Sequence, residues 1–248
     1  MSAISEKFRG IEPSGFAFPW LVAFTTPAQH GGERLDFMAD RCEAQRRELE
    51  RALAPLAVTW LSLEHGNTVI DLTRQNVPLC PPNPVADGAI LTEPGMAVAF
   101  TTADCLPIIC VSERHRVVAA IHAGWRSLAA GIIEVAVTRL EQEYGVDPTS
   151  LRVWIGPAIA FEDYEVSDEV REKLLVRPAV TERFFLQTQP GHWLVDLSGA
   201  ARAVFASLGV SSDSMERYPI STARSQLLHS ARRDGAAAGR MATLAGIK

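Results

Sequence analysis

The stretch MAVAFTTADCLPIICVSERHRVVAAIHAGW, residues 96–125, decides how this chain folds. It holds three short apolar runs: MAVAFTT (96–102), LPIICV (106–111) and RVVAAIH (116–122). Each has strand length. Near-continuous apolar character predicts strands buried on both faces rather than on one. Ser112–Arg116 is a polar turn between the second and third runs. Two features interrupt this pattern. Asp104 and Cys105 stand side by side at the head of the second run, and His122 closes the third just before a turn through Ala-Gly-Trp. Strand ends and the turns after them are where side chains leave the core and meet ligands.

Working outward, residues 17–25 (AFPWLVAFT) and 58–63 (VTWLSL) read as further strands, and LRVWIG (151–156) as another, closed by Pro157. Residues 38–54 are rich in helix formers and predict an exposed amphipathic helix. Residues 76–95 carry loop chemistry, with prolines at 78, 81, 82, 84 and 94, interrupted by the apolar Ala89–Leu91. One helix is expected over 127–144, stopped by Gly145. Asp196 is placed to cap another over 197–208, stopped by Gly209. Strands and helices mix without strict alternation, so the fold class is α/β (α+β). Central mixed β-sheets flanked by helices form one domain over 1–248, with 1–14 a loose N-terminal segment. No linker divides the chain.

Composition bounds the function. The 248 residues are 47% hydrophobic and 21% charged, as in a globular protein able to bury a large core. The net charge is −5 with both signs scattered, which argues against a nucleic-acid or anionic-membrane surface. The four cysteines, at 42, 80, 105 and 110, form no CxxC pair and no disulfide framework, so a reducing compartment is expected. The N-terminal MSAISEKFRGIEPSG lacks an apolar core of signal-peptide length, and no run approaches a membrane span. These features together predict a cytoplasmic location.

His65, Cys105 and His122 each sit at a strand–turn junction. A thiolate and two imidazoles suit Zn²⁺ or Cu²⁺, and three protein ligands with a fourth position open is the pattern of a catalytic zinc site. The spacing alone leaves other readings open. A thiol beside a strand is usually core, and Cys105 with His122 as its base would equally serve a hydrolase or amidase. Asp104 is a candidate catalytic base, a partner that orients a ligand, or a cap; orientation is the reading favoured. After Gly124, the amides of Trp125, Arg126 and Ser127 open a helix. With the Arg126 fork they form a candidate phosphate site. Glu165 is a second candidate acid/base, though a surface role is the plainer reading. Arg232, Arg233 and Arg240 line either an anionic pocket or a solvated face. His30, His115 and His192 read as surface residues.

TTADCLPI and IHAGWRSLAAGIIE resemble the two signature blocks of the YfiH-like family, also labelled multicopper polyphenol oxidases or laccase-domain proteins. ADGAILTEPGMAVAF, WIGPAIAFEDYEVSDEV, DLSGAARAVFASLGV and RRDGAAAGRMA extend the resemblance over roughly residues 15–248. The resemblance implies a fold similar to the catalytic domain of cytotoxic necrotizing factor toxins. It implies a zinc on Cys105, His122 and His65. It also implies phosphorolysis of adenosine, inosine and methylthioadenosine, and deamination of adenosine, so purine nucleoside and phosphate would be the small-molecule partners. Copper-dependent phenol oxidation is the alternative, as is an amidase editing peptidoglycan precursors. A laccase would need many imidazoles, and only six histidines are present, with no HxH pairs. Departures from the family pattern fall at Leu63 and Glu64 (usually Gln-Val), at Ser221 (usually Cys) and at Leu228 and His229 (usually aromatic). The segment after Gly31-Gly32 is also shorter than usual and lacks an Asn-rich stretch.

Overall fold

The computed structural model describes residues 6–8, 10–38, 42–74 and 82–248. From the N-terminus, β1 (Leu21–Thr25), the hairpin β2 (Gln29–His30) and β3 (Glu33–Arg34), α1 (Glu43–Leu53), β4 (Ala57–Trp60) and β5 (Val69–Leu72) come first. The central block is β6 (Gly88–Leu91), β7 (Met96–Thr102), β8 (Leu106–Ser112) and β9 (Val117–Ala123). Then follow α2 (Trp125–Ala129), α3 (Ile132–Tyr144), β10 (Arg152–Ile155), β11 (Glu165–Ser167) and α4 (Asp168–Leu175). The chain ends with β12 (Phe185–Gln189), β13 (His192–Val195), α5 (Leu197–Ser207), β14 (Met215–Arg217), α6 (Ala231–Asp234) and β15 (Met241–Ile247).

Two sheets stack face to face. One runs β1-β15-β7-β4, the other β14-β10-β8-β9-β6-β5, and both mix parallel with antiparallel pairs. Side-chain parity explains the layers. Ile109 and Val111 of β8, with Val118 and Ala120 of β9, meet Val98 and Phe100 of β7 between the sheets. The alternate residues Ile108, Cys110, Ala119 and Ile121 point the other way, onto Ile133 and Val137 of α3 and Val204 and Phe205 of α5. Beyond the smaller sheet, Phe24, Trp60 and Leu244 pack on Leu49 and Leu53 of α1. Both sheets are therefore covered on both faces, which is why their strands lack polar alternation. β11-β13-β12 forms a small separate sheet. None of the described helices is long and apolar enough to cross a membrane.

Two expectations need correction. The helix expected over 127–144 is two helices, α2 and α3, and it starts earlier. Gly131, at φ 84°, takes the left-handed conformation and breaks it. The described part of the segment expected to be loose, 6–8 and 10–14, is anchored: Phe8 is fully buried, and Ile11 bridges Thr25. Residues 39–41 of the expected 38–54 helix, and 76–81 of the Pro-rich 76–95 loop with Cys80, lie outside the described residues. Elsewhere the predicted capping holds. The Asp196 carboxylate accepts from the Gly199 amide at 2.8 Å, and Gly209 ends α5 at φ 95°.

Candidate metal centre

The site forms at one end of the sandwich, where the chain crosses between sheets. After β4 the chain leaves the smaller sheet through a turn holding His65, at φ 59°, and enters the larger one as β5. After β7 it crosses again through Ala103-Asp104-Cys105 and enters β8. His122 lies near the end of β9, opposite Pro107 of β8. By parity it shares the inter-sheet face of Val118 and Ala120, with its ring centroid 6.3 Å from that of Phe100. The two crossings and the end of β9 bring His65, Cys105 and His122 together, with one ligand atom of each within 4.8 Å of the others. The imidazoles stand edge to face, 4.8 Å between centroids. His122 is buried, Cys105 half-buried and His65 exposed, so the cluster has one open side.

Gly124 makes the close approach possible. A Cβ there would stand 2.9 Å from Cys105 Sγ and 3.2 Å from His65 Cδ2. The requirement is space, because its φ of −69° suits any residue.

The residue that organises the cluster is Asp87, which sequence reasoning missed. It precedes β6, whose Gly88 pairs with Ile121 of β9, and this register sets Asp87 beside His122. The His122 amide donates to the Asp87 carbonyl at 2.7 Å. The buried carboxylate accepts from His122 Nδ1 at 2.9 Å, and from the amides of His65, Gly66 and Glu64 at 3.0, 2.7 and 3.2 Å. An ionised carboxylate only accepts, so Nδ1 carries the proton and Nε2 is left for a metal. One aspartate thus orients one ligand by its ring and the other by its backbone.

The electrostatics follow. Burial would raise the Cys105 thiol, but hydrogen bonds and charge from His122 and His65 outweigh it and bring it down to about 6. Burial would lower His122, but Asp87 and Cys105 raise it to about 9. Burial pushes Asp87 up, and its bonds to His122 and the amides pull it below the ordinary carboxylate value.

Asp104, expected to orient a ligand, does not. Its carboxylate accepts the Thr222 hydroxyl at 2.5 Å and the Arg232 amide at 2.7 Å. It ties the C-terminal segment to the β7–β8 crossing, with its own backbone at φ 92°. The Ser127 side chain is fully buried, with no hydrogen-bond partner for its hydroxyl among the described residues. Trp125 and Arg126 do line a surface hollow with Lys173, and the Arg126 guanidinium lies 4.3 Å over the Trp125 ring. Glu165 is bonded to Thr188 at 2.8 Å and lies 3.4 Å from His192, on the small sheet. Its neighbour Tyr164 lies within electrostatic reach of Cys105; burial, then that cysteine, pushes its phenol up.

The departures sit in structural roles. Ser221 Oγ accepts the Ala160 amide at 3.2 Å. His229 is buried and donates from Nε2 to the Leu35 carbonyl at 2.6 Å. Leu63 packs against the inter-sheet core, and Glu64 is exposed.

The donor set fits a metal. One ion with bonds of roughly 2.0–2.3 Å spans these three atoms once they close on it, and the open side leaves room for a further ligand. A family profile described as multi-copper polyphenol oxidoreductase laccase matches residues 32–248. The chain belongs to this family. A purine nucleoside phosphorylase of Xylella fastidiosa (strain Temecula1) is 34% identical over 209 residues, 83% of this chain and 78% of that protein. The purine nucleoside phosphorylase YfiH of Escherichia coli K12 is 34% identical over 172 residues, 69% of this chain and 67% of that one. YlmD from Geobacillus stearothermophilus superposes with a TM-score of 0.81 at 27% identity, covering 93% of each chain. The Bacillus licheniformis protein YfiH shares the fold, with a TM-score of 0.85 at 23% identity over 92% of this chain and 93% of that one.

The family is one of enzymes, but its label and this site disagree. Several coppers need several imidazole groups, and His65, Cys105 and His122 are the one such donor cluster among the described residues. His30 is on an exposed hairpin, His115 bonds Ser112, and His192 and His229 are engaged as above. These three donors form one metal-type cluster.

Proposed function

We propose that this protein is a zinc-dependent purine nucleoside enzyme. It would cleave adenosine, inosine or methylthioadenosine with phosphate, and would also deaminate adenosine. The observation that carries the reading is the one-thiolate, two-imidazole cluster, open on one side and held by Asp87. The names of the relatives add the substrate class. Zinc is favoured over copper by the donor set of a three-ligand catalytic site, although copper stands above zinc in intrinsic affinity.

In phosphorolysis a phosphate oxygen bonds to C1′ of the sugar while the glycosidic C–N bond breaks. The bond pair leaves with the purine, which gains a proton at nitrogen, and the other product is the sugar 1-phosphate. When bound, zinc would supply Lewis acidity at the open position. The chain's own contribution is positioning. Asp87 holds the His122 proton on Nδ1 and fixes the His65 turn. The thiolate of Cys105 is stabilised by both imidazoles, and Gly124 keeps the approach clear. Arg126 offers a cation to phosphate. An amidase using Cys105 and His122 would leave the third donor, His65, without a role.

The test is incubation of the zinc-loaded protein with each nucleoside, with and without phosphate, followed by separation of products. Phosphate-dependent free base, or inosine from adenosine, absent with Cys105→Ala, is the expected result. No product from an intact zinc-bearing protein would overturn the proposal.

A further inference from the structure

Most cations of α4, the turn after it and the C-terminal segment are already engaged. Arg171 pairs with Glu182, Lys173 with Glu169 at 2.6 Å and Arg177 with Glu134 at 3.6 Å. Arg233 is spent on Asp234 and on the carbonyls of Thr222, Ser225 and Leu228. Arg240 bonds the carbonyls of Ala238 and Gly239. Arg232 and Arg126 differ. Arg232 is exposed, gives one bond to the Glu165 carbonyl at 2.9 Å, and has no carboxylate partner among the described residues. Its guanidinium lies 5.3 Å over the Tyr164 ring. Arg126 is also exposed and stacked on Trp125; it makes no ion pair within 4 Å among those residues, though the Glu169 carboxylate, bonded to Lys173, lies within its electrostatic reach.

Both are anchored close to the ligands. The Arg232 amide is bonded to Asp104, next to Cys105 in the chain. Arg126 follows Gly124 by two residues, and Gly124 abuts Cys105 Sγ. Tyr164 lies within electrostatic reach of both arginines and of Cys105. Each aromatic ring under a guanidinium fixes its plane and leaves its edge donors for a ligand.

We propose that Arg232 and Arg126 form a two-arginine clamp for a tetrahedral phosphate beside the metal cluster, with Tyr164 and Trp125 as the platforms that orient them. The clamp rests on the nucleoside reading for its role as co-substrate site, but its ligand chemistry stands apart from it. A planar fork suits a phosphate face, and two forks supply enough donors for its oxygens. Arg233 and Arg240 are excluded by their existing bonds.

The test is calorimetric titration of zinc-loaded protein with inorganic phosphate and, separately, with adenosine 5′-monophosphate. Arg232→Ala and Arg232→Lys are compared with Arg217→Ala, an exposed arginine lining a separate cavity with Asp196 and Ser198. The Arg232 substitutions keep the amide that bonds Asp104. The expected result is inorganic phosphate binding weakened roughly 10- to 100-fold by Arg232→Ala, partly restored by lysine, and unchanged by Arg217→Ala, with zinc content constant. The KM for phosphate should rise by the same factor while the nucleoside KM moves little. Equal binding by wild type and Arg232→Ala would overturn the clamp. So would no binding of inorganic phosphate by wild type, or binding of the nucleotide alone. Phosphate binding that depends on Arg232, with neither phosphorolysis nor deamination of any nucleoside, would uphold the clamp and refute the nucleoside reading.

Discussion

Two buried aspartates stand beside the metal-type cluster, each ahead of a strand of the same sheet, and they do opposite work. Asp87 precedes β6 and turns its carboxylate onto His122 and the His65 turn. Asp104 precedes Cys105 by one residue, yet turns its carboxylate onto Thr222 and Arg232. Proximity in sequence to a ligand therefore did not predict service to it. Strand pairing did, since the β6–β9 register sets Asp87 against His122 from 35 residues away.

The largest expected effect is on how metal affinity depends on pH. His122 is raised to about 9 and stays charged below that pH, so a metal must displace its proton. Cys105 is lowered to about 6 and is already a thiolate above it. Affinity should therefore rise roughly tenfold per pH unit from 6 to 9, and more steeply below 6, where both groups release a proton. Chelator competition across that range checks it. Removing the carboxylate charge with Asp87→Asn should narrow the window by letting His122 lose its proton at lower pH.

The next effect separates the two aspartates directly. Asp87→Asn should weaken zinc binding about 10- to 100-fold, the usual consequence of losing a partner that orients a ligand. Asp104→Asn should change it less than about threefold, because its carboxylate touches no ligand. Equal losses from both, measured by the same competition assay, would break the comparison. The smallest effect is on stability. Asp104→Asn leaves buried bonds to Thr222 and Arg232 weakened, and should cost about 1–3 kcal/mol in denaturant unfolding of the metal-free protein. Arg233, already bonded to three carbonyls of the same segment, limits the damage.

Much of this was legible in the chain. β7, β8 and β9 follow the three apolar runs closely, because burial on both faces leaves an unmistakable apolar block. The three donors expected at strand ends, His65, Cys105 and His122, lie together in the structure. β5 and β15 were not foreseen. β15, MATLAGI, is built of small and apolar residues without turn signals, and its identity as a strand comes from pairing with β1 and β7, distant in sequence. Asp87 was hidden for the same reason, as a lone acid after a Pro-rich loop whose partner is set by register. The break at Gly131 between α2 and α3 was hidden because the apolar pattern runs straight across it.

X-ray absorption at the zinc edge of the reconstituted protein, beside Cys105→Ala, reads the three donors directly. One zinc per chain is expected, with one sulfur at about 2.3 Å and two imidazole nitrogens at about 2.0–2.1 Å, the sulfur signal vanishing in the variant. A sulfur shell unaffected by Cys105→Ala, or a metal–metal shell, would contradict it.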